Sequence, residues 1–225
     1  RHYAGYLGGA VLDSPIYRIT DEAVVRDLVR RHGWVTLVSH TSTGLVASHL
    51  PVVVEDGDDF VIVGHLGRPD DENHELGSAG EAMIVVQGPH GYVSASWYGT
   101  GMTASTWDFV VAHLYGVPEP VLDPEENLRV LADLQSRYEL TLPEPMLLEQ
   151  SPDVAAALAR GARAFRFRVT RWQGRNKMSQ NRPVEVIERI VDHLEADPGE
   201  QPYANVELAS LVRAANPRGS ARGSR

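Results

Sequence analysis

The sequence predicts a mainly β protein with peripheral helices, in the α+β class, built on a small antiparallel barrel. Short runs rich in Val, Ile and aromatic residues follow one another in the first half and are separated by turn residues. A later run, residues 162–172, alternates apolar and polar side chains with the period of a half-buried strand. Helical patterns with one apolar face stand before and after these runs, where they would cover a barrel.

The first half of the chain is predicted to be one helix followed by a meander. Thr20 is the predicted N-cap of a helix that ends near Gly33. Three strands follow, with the sequences WVTLVSH, LVASHLPVVVE and FVIVGHL. The polar stretch DDENHELGSAGE has partly helical character. Two further strands, AMIVVQG and HGYVSASWY, are predicted on either side of Gly88 and Pro89.

The second half is predicted to be mostly helical. STWDFVVAHLYG and PEENLRVLADLQSRYE are both assigned to helices, with Pro124 at a first helical position. Residues 140–152 are predicted to be a loop, and the strand at 162–172 returns to complete the barrel. A helix, PVEVIERIVDHLEA, comes last. We expect one domain over residues 1–215 and a disordered tail over residues 216–225, which is rich in Gly, Ser and Arg.

Composition excludes several classes of function. The 225 residues contain no cysteine, which excludes disulfides, thiolate ligands and cysteine nucleophiles, and favours the cytoplasm. The sequence has neither a membrane-spanning apolar stretch nor a recognisable secretion signal. A formal charge of −9 argues against direct nucleic-acid binding, which depends on neutralising phosphates.

Motifs typical of common enzymes are missing as well. GxGxxG, GxxxxGK[ST], HExxH and GxSxG do not occur in the expected contexts. The nine histidines are scattered, and no two have the helical spacing of a zinc site. Polar clusters at predicted strand ends are therefore the best candidates for a site.

Five such segments, in this order, resemble the PaiB-like family, whose members are described as FMN-binding negative transcriptional regulators. They are ASHLP (47–51), GHL with an arginine (64–68), QGPHGYVSASWY (87–98), STWDFVVAHLYG (105–116) and KMSQN (177–181). The resemblance extends from about Pro15 to Leu194. It implies an FMN-binding-type split β-barrel that is homodimeric, with cofactor sites at the interface between the two subunits.

The sequence departs from the family pattern after the GHL motif. Family members continue with alanine, arginine, asparagine, proline, glutamine and an aromatic residue, whereas this chain has GRPDDENHE. The added carboxylates would repel a flavin phosphate in the same pocket. The chain also resembles the piperazate synthases, a branch of the family that binds haem b. It implies ligation of the iron by histidine and dehydrative cyclisation of N5-hydroxy-L-ornithine to L-piperazic acid, with formation of an N–N bond.

The resemblance and the charges of the acidic stretch together give each candidate residue an expected role. His65 is the expected axial haem ligand, and His49 and His90 are the alternatives. Arg68 is expected to pair with a propionate or phosphate, or otherwise with Asp70 or Asp71. The same two aspartates and Lys177 are candidates for holding an amino-acid substrate. The remaining cofactor-binding candidates are Ser48, Trp107, Gln180 and Asn181.

Three functions remain open at this stage. The first is a haem-dependent N–N bond-forming cyclase acting on a small amino-acid substrate. The second is an FMN-binding flavoprotein or negative transcriptional regulator. The third is a barrel without cofactor that acts only as a binding partner. The absorption spectrum distinguishes them, because haem, flavin and an empty protein absorb differently.

Overall fold

The computed structural model describes residues 14–99, 101 and 104–217. Short 3₁₀ turns lie at Pro15–Tyr17, Ala95–Tyr98 and Leu148–Gln150. The strands are β1 (Arg18–Ile19), β2 (Trp34–Thr41), β3 (Gly44–Val54), β4 (Val61–Gly67), β5 (Ala82–Val93), β6 (Thr106–Pro120) and β7 (Ala162–Lys177). The α-helices are α1 (Glu22–Arg31), α2 (Asp70–Asn73), α3 (Pro124–Glu139), α4 (Pro152–Gly161), α5 (Val184–Leu194) and α6 (Val206–Ala215).

The strands form one sheet that closes into a ring. Their order is β1-β7-β4-β3-β2-β5-β6, and β6 also pairs with β7. The pairs β2–β3, β2–β5, β3–β4 and β4–β7 are antiparallel. The prediction of a mainly β protein with a small barrel and peripheral helices is therefore confirmed.

By their contacts, the described residues divide into two compact units. The larger unit comprises residues 21–88 and 111–174. The smaller unit contains the described residues between 14 and 20, 89 and 110, and 175 and 217. Residues 218–225, most of the predicted tail, lie outside the described residues.

The inner face of the larger unit is filled by alternate residues of its strands. Leu37 pairs with Ser48, and Val52 with Gly64, so these side chains point to one face of the sheet. Gly64 has no room for a side chain, because a Cβ atom would lie 2.9 Å from the ring of Phe165. Fully buried Ile62, on the same face, completes the inner core of this strand.

The outer face of β4 is covered by α3. Val61 and Val63 are buried in one cluster with Val130 and Leu134 of the helix. Asn127, also on α3, donates to the carbonyl oxygen of Ala162 at 3.2 Å and accepts from the amide of Ala164 at 2.8 Å. The helix thus satisfies the polar backbone of β7 where it enters this apolar layer.

In the smaller unit, α5 and α6 pack against each other. Ile190 and Leu194 of α5 and Leu208 and Val212 of α6 are fully buried. Asn205 caps α6 by accepting from the amide of Leu208 at 3.0 Å. The sequence analysis had predicted α5 but had not assigned α4 or α6.

Two predicted elements are wrong. STWDFVVAHLYG was assigned to a helix but lies in strand β6, with Asp108, Val110, Ala112 and Leu114 buried at every second position. The period of two, rich in β-branched and aromatic residues, is that of a strand. AMIVVQG and HGYV form the single strand β5, which continues through Gly88 and Pro89.

None of the helices among the described residues is long and apolar enough to cross a membrane.

The other boundaries agree with the predictions to within a few residues. α1 is capped by Asp21 rather than Thr20, because Asp21 has extended backbone angles and accepts from the amide of Ala23 at 2.9 Å. α3 is capped by Asp123 and has Pro124 at its first helical position, as the sequence indicated.

Candidate functional site

His65 lies on strand β4, at the margin of the apolar layer beneath α3. It pairs with Ala164, and it points to the same face as Val61 and Val63 because strand side chains alternate. Its Nδ1 atom is buried and has no hydrogen-bond partner among the described residues. Burial lowers the pKa of His65 below its ordinary value, which favours the neutral imidazole that binds metals.

The acidic stretch after β4 folds as a cap over one end of the strands in the larger unit. We name residues 69–77 the acidic cap; it contains α2 and ends at Gly77, whose amide donates to the carbonyl oxygen of Pro118 at 3.0 Å. Asp71 is buried, and one of its carboxylate oxygens lies 3.9 Å from Arg68 and 3.8 Å from Arg163. Arg68 therefore has a carboxylate beside it, the alternative that the sequence left open.

A buried histidine attaches the acidic cap to the strands. His74 is fully buried, with Nδ1 at 2.9 Å from Ser39 Oγ and Nε2 at 3.0 Å from Ser48 Oγ. Ser48 in turn donates to Asp70 at 3.4 Å. Burial lowers the pKa of His74, while the carboxylate of Asp70 partly offsets the shift.

The next residue of the cap is held through its side chain as well. Glu75, which has a left-handed backbone (φ 49°), accepts from the backbone amide of Ser42 at 3.1 Å and also from its hydroxyl. These hydrogen bonds lower the pKa of the Glu75 carboxyl group. The cap thus uses Asp70 and Asp71 in contacts with β3 and β7, and Glu75 in a contact with the turn between β2 and β3.

Lys177 lies at the end of β7, in the smaller unit. Its Nζ atom donates to Thr106 Oγ1 at 2.7 Å, to the carbonyl oxygen of Trp107, and to Asp108 Oδ1 at 3.3 Å. The second oxygen of Asp108 accepts from Ser179 Oγ at 2.6 Å. Since a lysine has three donors, Lys177 uses all of them to join β7 to the start of β6.

Asp108 is fully buried in this network. Burial raises the pKa of its carboxyl group, and the hydrogen bond from Ser179 and the charge of Lys177 oppose that shift. Asp108 was not among the candidate site residues from the sequence. Its partners could not be found from sequence, because Lys177 is 69 positions away.

The remaining candidates are spread over both units. Gln180 uses its amide within its own loop, accepting from Met178 N at 2.7 Å and donating to the carbonyl oxygen of Asn176 at 2.6 Å. Asn181 is exposed. In the smaller unit, the ring centroids of His90 and Trp107 are 6.3 Å apart.

In the larger unit the structure brings Ser48, Arg68, Asp70 and Asp71 together at the acidic cap. His49 is exposed, and like His65 it points to the outer face, the opposite side of the sheet from Ser48. Within the described residues, no three His, Asp or Glu side chains come together as a metal site. Ser39 and His74 were missed, because their partners are 35 and 26 positions away.

A ring-closed antiparallel sheet covered by helices is the architecture of a split-barrel protein. The family model described as "Putative FMN-binding domain" matches residues 14–171. The chain belongs to this family, as its resemblance to the PaiB-like proteins predicted. It is 26% identical to protease synthase and sporulation protein PAI 2 of Bacillus subtilis over 87% of this chain and 93% of that protein.

Other relatives are more distant. The chain is 32% identical to the uncharacterized protein YKL070W of Saccharomyces cerevisiae, over 45% of this chain and 64% of that protein. Among solved structures, the FAD and heme binding protein from Mycobacterium smegmatis matches with a TM-score of 0.53 and 16% identity, covering 78% of this chain and 80% of its own. The flavocytochrome Anf3 from Azotobacter vinelandii matches with a TM-score of 0.51 and 10% identity. The match covers 72% of this chain and 69% of the flavocytochrome chain. These similarities show the fold.

Proposed function

We propose that this chain is a haem b-dependent enzyme of the FMN-binding split-barrel family, in which His65 provides the axial ligand. The observation that carries the proposal is the buried, unpartnered Nδ1 atom of His65. An orphaned polar atom in an apolar layer is costly unless a ligand binds to that atom or its neighbours rearrange. The lowered pKa keeps the imidazole neutral and available at physiological pH.

The charge around the acidic cap argues against an anionic cofactor group, such as a flavin phosphate, at that end of the strands. Arg68 is close to Asp71, and Asp70 and Glu72 are exposed on the same short helix. These carboxylates oppose the binding of a dianionic phosphate. They are compatible with a substrate that carries an ammonium group.

The proposed reaction is the dehydrative cyclisation of N5-hydroxy-L-ornithine to L-piperazic acid. When bound, haem iron supplies a Lewis acid for the hydroxylamine oxygen. The role of the protein's own residues is to hold the flexible substrate so that its α-nitrogen approaches the hydroxylated nitrogen. Exposed Asp70 and Glu72 offer contacts to an ammonium group, and Arg68 offers one to the carboxylate. Lys177, with all three donors already used, would have to leave Asp108 to serve this purpose.

FMN binding is a second candidate, and family membership favours it. The family model covers most of the strands, and the Bacillus subtilis relative aligns over nearly its whole length. An FMN protein would act as a flavin-dependent oxidoreductase or as a regulator of transcription. Solved proteins with this fold are described as binding FAD and haem, so the fold itself is compatible with both cofactors.

An absorption spectrum of the purified chain, before and after addition of hemin, tests the proposal. We expect one intense Soret band and one haem per chain. His65→Ala should lose the band, because an alanine methyl group cannot bind iron. His49→Ala is the matched control: it removes an exposed imidazole from the same face of the sheet and should keep the spectrum.

Activity provides a separate measurement. The haem-loaded chain should convert N5-hydroxy-L-ornithine to a product lighter by one water, without NAD(P)H. Flavin copurifying at one per chain, with no stable haem band, would instead favour the FMN candidate. If the protein binds neither cofactor, the function that remains is a barrel without cofactor that acts only as a binding partner.

A further inference from the structure

The hydrogen-bonded chain from Ser39 through His74 to Ser48 has the geometry of an activated serine. The distance from His74 Nε2 to Ser48 Oγ is 3.0 Å, and the other ring nitrogen is 2.9 Å from Ser39 Oγ. A nucleophile within reach of a base, with the base oriented by a third group, is the arrangement by which enzymes activate hydroxyl nucleophiles. This constellation is recognised by geometry and not by sequence order.

The three hydrogen-bonded side chains differ in burial. Catalysis requires a base held in a fixed orientation and a nucleophile that a substrate can reach. His74 and Ser39 are fully buried, so the imidazole is fixed in orientation. Ser48 is only partly buried, and its neighbour Asp70 is exposed. Of these three side chains, Ser48 is therefore the one whose hydroxyl a ligand can reach.

Both tautomers of His74 are compatible with its partners. With the proton on Nε2, His74 donates to Ser48, and Ser39 donates to Nδ1. With the proton on Nδ1, His74 donates to Ser39, and Ser48 turns its single proton from Asp70 to Nε2. The second arrangement leaves the Ser48 oxygen free to attack while Nε2 receives its proton.

We propose that Ser48 is a nucleophile for acyl transfer, with His74 as its general base and Ser39 as the residue that orients the imidazole. Ser48 Oγ forms a bond to the carbonyl carbon of an ester, and His74 Nε2 takes the hydroxyl proton. The same proton passes to the leaving alcohol oxygen as its bond to carbon breaks. Water then attacks the acyl-serine by the reverse route, releasing the carboxylic acid and restoring the hydroxyl.

The charges near Ser48 define the substrate class. Asp70 lies 3.4 Å from the hydroxyl, and Asp71 and Glu72 follow on α2. An anionic acyl donor would be repelled, so the site fits uncharged or cationic esters.

Labelling of the full chain with diisopropyl fluorophosphate, a neutral phosphorylating reagent, tests the proposal. Ser48 Oγ should displace fluoride, and intact mass with peptide mapping should find one adduct, on Ser48. Ser48→Ala should remove the adduct. Ser210→Ala is the control, since it removes an exposed hydroxyl on α6 that donates to the carbonyl oxygen of Val206, and it should label at the rate of the unaltered chain.

Two further variants test the base. His74→Gln should slow labelling by about 100-fold, on the order of general-base catalysis. Ser39→Ala leaves the imidazole in place and should slow labelling by a smaller factor, so it serves if His74→Gln does not fold. Absence of an adduct on Ser48, or equal rates in both variants and the unaltered chain, would overturn the proposal. The reaction needs no haem or flavin, so its outcome is independent of the cofactor proposal.

Discussion

At the scale of single residues, the buried ion pair of Asp108 and Lys177 joins strands β6 and β7 in the smaller unit. The Asp108 side chain is fully buried, and that of Lys177 is 12% exposed. Removing one member of a buried ion pair leaves the other charge without compensation. Both residues also bridge β6 and β7, so the effect reaches the backbone of both strands.

We expect Asp108→Ala to lower the free energy of unfolding by about 3–5 kcal/mol. Asp108→Asn should cost less, because an amide oxygen still accepts from Lys177 or Ser179. Urea unfolding monitored by tryptophan fluorescence gives both values. Equal losses for the two variants would mean that the negative charge, and not the hydrogen bonding, dominates the stabilisation.

Sequence and structure agree unevenly at this scale. His65 was identified because the GHL segment of a known family contains it, and its burial in an apolar layer fits that role. Ser39 and His74 were not identified, because a hydroxyl on one strand and a histidine in a polar stretch give no local signal. Contacts between residues tens of positions apart depend on strand register, which no single segment encodes.

At the scale of elements, the wrong prediction for β6 has a physical cause. Val110, Val111, Ala112 and Leu114 satisfy a helical pattern and a strand pattern equally over so short a window. Pairing within the sheet decides the outcome, because it buries every second side chain of β6 from Asp108 to Leu114. Helices α1, α3 and α5 were predicted correctly because their apolar stripes are local features of the sequence.

The close approach of β6 and β7 gives a prediction about Gly116. A Cβ atom at this position would lie 2.2 Å from the carbonyl oxygen of Arg168. Gly116→Ala should therefore lower the free energy of unfolding by about 1–3 kcal/mol or more, because the backbones must separate. Thermal unfolding followed by circular dichroism measures the change.

Gly67→Ala is the control for this experiment. Gly67 ends β4, and a Cβ atom there would meet nothing within 4 Å. Its effect should stay within about 0.5 kcal/mol. If both alanines were tolerated equally, β6 and β7 would not pair as closely at Gly116 as described.

At the scale of the whole molecule, the family resemblance predicts a homodimer. The outer face of β2 and β3 exposes large apolar side chains, with Trp34 at 65% and Leu45 at 76% exposure. Such side chains on one sheet face are typical of a surface that a partner covers. We propose a second copy of this chain as that partner.

Light scattering should give about twice the chain mass of 24.7 kDa. Leu45→Glu should shift the protein toward the monomer, because it places a charge in the apolar surface. Leu122→Glu is the control, since Leu122 is 73% exposed in the loop after β6. A monomeric unaltered chain, or equal effects of the two glutamates, would contradict this choice of interface.

The position of β4 has a consequence for any ligand that His65 holds. β4 has a neighbouring strand along each edge and apolar layers on both faces. The backbone under the imidazole therefore has little conformational freedom before binding, and almost none remains to be lost on binding. The association rate at His65 should accordingly reflect access of the ligand to the ring, with no slow ordering of the strand that bears it.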